Sequence, residues 1–179
     1  MPEFEEFSKI FRLSRQCVVT EKIDGTNASI YVDAEGQFLC GSRTRWITPG
    51  DDNFGFARWA CEHKDELLAL GVGHHFGEWW GQKIQRGYGL TEKRFSLINT
   101  HRWGDASVRP KCCHVVPILW SGIFNTPAIE ECLEKLKLSG SVAAPGYMRP
   151  EGIVVYHTQG NFALKKTIEK DEEHKSQNK

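Results

Sequence analysis

Apolar residues along the chain fall mostly in short runs, many of them alternating with polar ones, as strands buried on one face require. Residues 16–22 (QCVVTEK) and 28–33 (ASIYVD) read as two such strands, rich in β-branched and aromatic residues, with the turn signal Asp24-Gly25 between them. Glu35-Gly36 then leads into FLCGS, a third strand. HHFGEWW (74–80), FSLIN (95–99) and HVVPILW (114–120) carry the same character. Residues 53–70 instead space their apolar positions like an amphipathic helix, imperfectly. Thr126-Pro127 opens a clearer helix, a capping hydroxyl followed by proline at the first helical position. AIEECLEKLKL continues it and Gly140 closes it. GIVVYH (152–157) and NFALK (161–165) read as a hairpin about Thr158-Gln159-Gly160. The charged tail from Glu169 to Lys179 reads as a frayed helix or disorder. Many short strands, few helices and no regular strand–helix alternation predict an α+β fold of antiparallel sheets flanked by helices.

Length and composition fit that picture. A chain of 179 residues, 40% apolar with ten Phe and six Trp, suits one globular domain with a substantial core. No run approaches the ~18 apolar residues of a membrane-spanning helix. Residues 1–6 are acidic, where a secretory signal starts basic, so a cytoplasmic protein is expected. Six cysteines then read as reduced thiols, and the adjacent Cys112-Cys113-His114 lacks the ligand spacing of a zinc site.

Lys plus Arg equal Asp plus Glu at 23 each, so overall charge does not point to nucleic acid. Between Lys83 and Lys111, however, seven basic residues face two acidic ones. That excess fits a phosphate-binding face, although from charge alone a solvated surface is the commoner explanation.

The segment Glu21-Lys22-Ile23-Asp24-Gly25-Thr26-Asn27 ends a strand on a lysine and turns through glycine into the next strand. It presents an amine at a sheet edge beside backbone that a ligand can approach. Lysine is a covalent nucleophile only as the neutral amine, so such a site must disfavour the ammonium by burial, a neighbouring cation or a bound metal. Alone, a lysine before an ordinary hairpin is the commoner explanation.

The heptapeptide resembles the first motif of the covalent nucleotidyltransferases, which include DNA ligases, RNA ligases and mRNA capping enzymes. Its extended form is most similar to RNA ligases of phage and kinetoplastid-editing type. Further segments resemble the family's later motifs in order: Gly41-Ser42-Arg43-Thr44, His75 to Gly81, Phe95 to Asn99, Glu151 to Val155, and Ala163-Leu164-Lys165-Lys166. The resemblance runs from about residue 15 to residue 167. It implies an adenylyltransferase core over residues 1–168 and a charged tail over 169–179, with no C-terminal oligonucleotide-binding barrel.

The resemblance also implies a chemistry. Lys22 attacks the α-phosphate of ATP and becomes lysyl-AMP. Lys165 binds that phosphate as a second catalytic cation, Glu78 meets the ribose, and Glu151 supports Mg²⁺ or Mn²⁺. Arg43 contacts nucleotide phosphate or the RNA end, Asn27 contacts the phosphate region, and Glu21 accepts from the adenine amino group through backbone or side chain. Ile98 covers the base where the family carries an aromatic ring. The last motif often has two lysines two residues apart, so here the second role is absent or shifted to Lys166. Alternation along a strand argues against that shift.

The expected substrates are ATP and RNA ends, on nicked duplex or single strands, ahead of DNA. Lys83, Arg86, Lys93 and Arg94 are candidates for nucleic-acid contact, and a partner subunit could add grip. Of Trp79 and Trp80, one is expected in the core and one at the site rim, with Tyr88 available for stacking. The alternatives are a stand-alone adenylyltransferase, a DNA nick-sealing enzyme, or a non-catalytic binding module on the same scaffold.

Overall fold

In the computed structural model, which describes residues 1–169 and 171, the chain builds two sheets. Strand β1 (Gln16–Lys22) lies inside a four-stranded sheet, between β8 (Ile118–Ile123) and β9 (Gly152–His157), with β10 (Phe162–Thr167) on the outer edge of β9. The other sheet has six strands in the order β4 (Trp46–Ile47), β3 (Phe38–Gly41), β2 (Thr26–Val32), β5 (Gly73–Gly81), β6 (Lys93–Leu97) and β7 (Cys113–Val115). Among the described residues the strand pairings are antiparallel except β6 with β7, which is parallel. Helices α1 (Phe56–Glu62) and α2 (Lys64–Leu67), with a 3₁₀ turn at Leu68–Leu70, cover the six-stranded sheet. Short α3 (Thr100–Trp103) follows β6, and α4 (Thr126–Ser139) packs on the four-stranded sheet.

Burial follows the strand period. On β1 and β9, Cys17, Val19, Ile153 and Val155 face α4 and meet its Ile129, Cys132, Leu133 and Leu136. Side chains of this kind contribute about 1.5–3 kcal/mol each when fully buried. On the larger sheet, Ile30, Trp79, Phe95 and Leu97 meet Phe56, Ala57, Ala60 and Leu67. A third, smaller cluster joins Ile23, Trp80, Tyr88, Val116 and Ala144 beside the turn after β1.

Several expectations need correction. HVVPILW is not one strand: the chain leaves the larger sheet after Val115 and enters the smaller one at Ile118. Pro117, which lacks a donor and restricts Val116, sits at that crossing. FSLIN ends early, because Asn99 instead caps α3 by accepting from the Arg102 backbone N–H. The helix over 53–70 is interrupted at His63. The cap of α4 is Asn125, whose side chain accepts from the Ala128 N–H, while Thr126 is already helical. Most of the charged tail, Lys170 and residues 172–179, lies outside the described residues.

Candidate active site

Lys22 is the last residue of β1 and pairs with Gly152 at the start of β9. That register places Glu151 beside it: Lys22 Nζ donates to Glu151 Oε2 at 2.6 Å, with side-chain exposures of 20% and 5%. The amine is therefore held by Glu151 at the seam of the two sheets, on a side chain that is mostly buried. Across it, β2 and β5 pair Asn27 with Glu78, and the Glu78 Oε1 accepts the Gly25 N–H at 2.9 Å. This contact needs glycine. A Cβ at residue 25 would lie 2.4 Å from the Trp79 carbonyl oxygen and 2.6 Å from Trp80 Cβ. Burial pushes the Glu78 carboxyl up to about 7; Glu151 and Asp24 push the same way, while the Gly25 N–H and Lys22 oppose them.

The turn between Lys22 and Gly25 is pinned from the 82–92 loop. The Tyr88 hydroxyl accepts the Asp24 N–H at 2.8 Å, and Arg86 Nε pairs with Asp24 Oδ2 at 3.1 Å. Arg86 also donates to the Arg149 carbonyl, two residues before Glu151. One guanidinium thus ties together the loops carrying Lys22 and Glu151. Sequence reasoning assigns Arg86 to nucleic acid and Tyr88 to stacking, and leaves Asp24 as a turn residue. The contact is invisible in the sequence because it joins positions 62 apart.

Glu21, on the opposite face of β1, is 1% exposed. Its carboxylate accepts from Ser141 Oγ and from the backbone N–H groups of Val142 and Ala143. Burial still pushes this carboxyl upward against those hydrogen bonds. The side chain secures the segment after α4 and is not presented to a ligand, which leaves only the backbone for the expected adenine contact.

The last strand separates its two lysines. Lys165 stands opposite Val154, itself opposite Thr20, so it shares a face with Lys22, one step along the sheet. Lys166 points to the other face and pairs with Glu130 of α4 at 3.2 Å. Thr167 occupies the row of Lys22 and Gly152. Lys166 is therefore not brought to the site. Arg43 lies exposed in the turn between β3 and β4, and Ile98 is 44% exposed just past β6, its N–H bonded to the Phe76 carbonyl.

The basic stretch does not form one phosphate-facing patch. Lys93 donates to the Phe54 carbonyl, Arg94 pairs with Glu92 over the Trp80 ring, and Arg102 and Arg109 bind backbone carbonyls. Of the four candidates only Lys83 is exposed; the other three are half-buried. Both tryptophans are 1% exposed: Trp79 donates to the Phe54 carbonyl in the helix-covered core, and Trp80 donates to Ser96 Oγ on the other side of β5. The expected split between core and rim does not occur.

No group of three or more His, Cys, Asp or Glu among the described residues converges as a metal cluster. Glu151 and Glu78, both close to Lys22, instead make a sparse acidic site. That donor set fits a Mg²⁺-like ion completed by waters and phosphate oxygens.

Comparisons with known proteins bear on the fold and the family. A Naegleria gruberi RNA ligase variant with ATP and manganese superposes with a TM-score of 0.65 at 19% identity, over 86% of this chain and 50% of that one. A second such variant gives 0.64 at 19% over 93% and 57%. An apo variant of an RNA ligase from the same organism gives 0.64 at 20% over 86% and 50%. This chain thus spans about half the length of those proteins, and at such identity the likeness shows a shared fold. Comparison with curated sequences returns no match. The family model for RNA ligase matches residues 15–170, nearly the whole described chain, and the protein belongs to the RNA ligase family.

Proposed function

We propose that this chain is the adenylylation core of an ATP-dependent RNA ligase, spanning residues 1–168 with a charged tail over 169–179. The reading is carried by one observation: the Lys22 amine is fixed at the seam of the two sheets by Glu151, opposite Glu78. In the reaction the Lys22 Nζ lone pair attacks the α-phosphorus of ATP. An N–P bond forms, the bond to the bridging oxygen breaks, and pyrophosphate leaves with the electron pair. The amine gives up its proton, for which Glu151 is the adjacent acceptor. Glu78 is placed for the ribose, Asn27 beside it for phosphate, Ile98 for a base face, and the Glu21 backbone for the adenine amino group. Lys165 would offset charge at the α-phosphate, and Arg43 would meet phosphate or the RNA end. Glu151 would hold a divalent ion, whose contribution is charge neutralisation on the phosphates.

AMP then passes to a 5′-phosphate, whose oxygen attacks phosphorus as the lysine amine leaves. A 3′-hydroxyl next attacks the activated 5′-phosphorus and expels AMP. Two of the Naegleria variants were solved with ATP and manganese, which supports the same nucleotide and metal class here. A cytoplasmic setting is the proposed one, and single-stranded or nicked RNA are the proposed ends.

A second reading, adenylylation without sealing, is favoured by the last strand. Its site face offers Lys165 but Thr167 in the row of Lys22, so one cation fewer is available for the later steps. Incubation with 5′-phosphorylated RNA, ATP and Mg²⁺, and separately with pre-adenylylated RNA, separates the two. The ligase reading predicts joined product from both; activated RNA that is never joined favours adenylylation alone.

A further inference from the structure

The open face of the six-stranded sheet carries a feature that lysine adenylylation leaves unused. Alternate strand residues share a face, so the row Asn27–Glu78–Ser96 is followed, moving away from Lys22, by the row Trp46–Gly41–Ser29–Phe76. The next row holds Tyr31 and His74. Each step is about 6.6 Å along the strands. Four rings are contiguous there: Tyr31 to Trp46 at 5.9 Å, Trp46 to His74 at 5.5 Å, and His74 to Phe76 at 4.1 Å between centroids. Trp46 and Phe76 are 50% and 56% exposed.

The platform is built by specific neighbours. His74 Nε2 and Ser29 Oγ are hydrogen-bonded at 2.9 Å. A Cβ on Gly41 would come within 3.3 Å of the Trp46 ring, so the missing side chain lets the indole lie over β3. None of the residues in the two ring-bearing rows is acidic, and Arg43 is exposed in the adjoining turn.

We propose that this ring platform stacks unpaired bases of the RNA strand being joined, with Arg43 meeting its backbone. The inference rests on the ligase reading and names a grip for it, since most of the basic stretch is committed internally. A polynucleotide suits the surface better than a protein segment for two reasons. It continues the face holding the nucleotide-site carboxylate, and it offers exposed π-surface beside a cation, which any base can use.

The experiment measures fluorescence anisotropy of a short labelled oligouridylate with the full chain and with the Tyr31→Ala, Trp46→Ala and Trp46→Phe variants. Covalent AMP labelling of Lys22 is read in parallel. Trp46→Ala should weaken RNA binding about tenfold, Trp46→Phe should restore most of it, and AMP labelling should be equal in all. Unchanged RNA affinity in the two alanine variants overturns the platform, and is also the outcome if a protein segment covers the rings. Equal loss in the alanine and phenylalanine variants at position 46 overturns it as well, by showing a structural role. A parent that binds RNA through Trp46 but takes no AMP sinks the ligase reading instead.

Discussion

Glu78 combines two demands that oppose each other. Its position beside Gly25 and Lys22 suits a polar ligand, but burial makes its charge costly and pushes its carboxyl up to about 7. An acid with a raised value binds more protons folded than unfolded. Its contribution to stability is therefore fullest below the ordinary value of 4.5 and declines as pH rises through about 7. Glu78→Gln should remove that dependence. The variant's melting temperature relative to the parent should rise between about pH 5 and about pH 8, and a difference independent of pH contradicts the assignment. Glu21 is buried too, and burial also pushes its carboxyl upward, but it is satisfied by three donors. Glu21→Ala would leave those donors unpaired and should cost about 3 kcal/mol in urea unfolding. A loss within about 0.5 kcal/mol, typical of an exposed site, would show that the carboxylate does not hold the segment after α4.

Among the elements, the turn joining β1 to β2 concentrates the site's precision. Gly25 approaches Trp79 and Trp80 more closely than any side chain permits. Gly25→Ala should therefore destabilise the fold by about 1–3 kcal/mol and, by displacing Glu78 from the Gly25 N–H, slow AMP labelling. Stability and labelling both unchanged would mean that the turn is not tightly constrained. The strands on either side are legible in the sequence because β-branched runs and Asp24-Gly25 announce them. HVVPILW misleads because its apolar character is continuous while Pro117 divides it between sheets. The basic stretch misleads for a different reason. Long cationic side chains reach carbonyls at Phe54, Leu70, Trp103 and Arg149 that only the folded chain brings near. Lys22, Glu78 and Glu151 are legible through their motifs, whereas the Arg86–Asp24–Tyr88 clamp has no local signal.

At the scale of the molecule, two sheets with separate cores meet where β1 ends and β9 begins. The larger core is closed by α1 and α2, the smaller by α4, so both sheets keep their other face for the seam. The pairing of β1 with β9 brings Glu151 to Lys22, and the second sheet adds Glu78 from β5. Because the acidic set near Lys22 is sparse, chelating divalent metal should stop AMP labelling while leaving the melting temperature unchanged; a large drop in melting temperature would instead indicate a structural ion. The central claim is that the Lys22 amine is the nucleophile toward ATP. Intact-mass spectrometry of the protein after incubation with ATP and Mg²⁺ addresses it most directly. The account predicts a mass gain of one AMP group, absent in Lys22→Ala and mapping to Lys22 after digestion; an unlabelled parent, or a labelled Lys22→Ala variant, would contradict it.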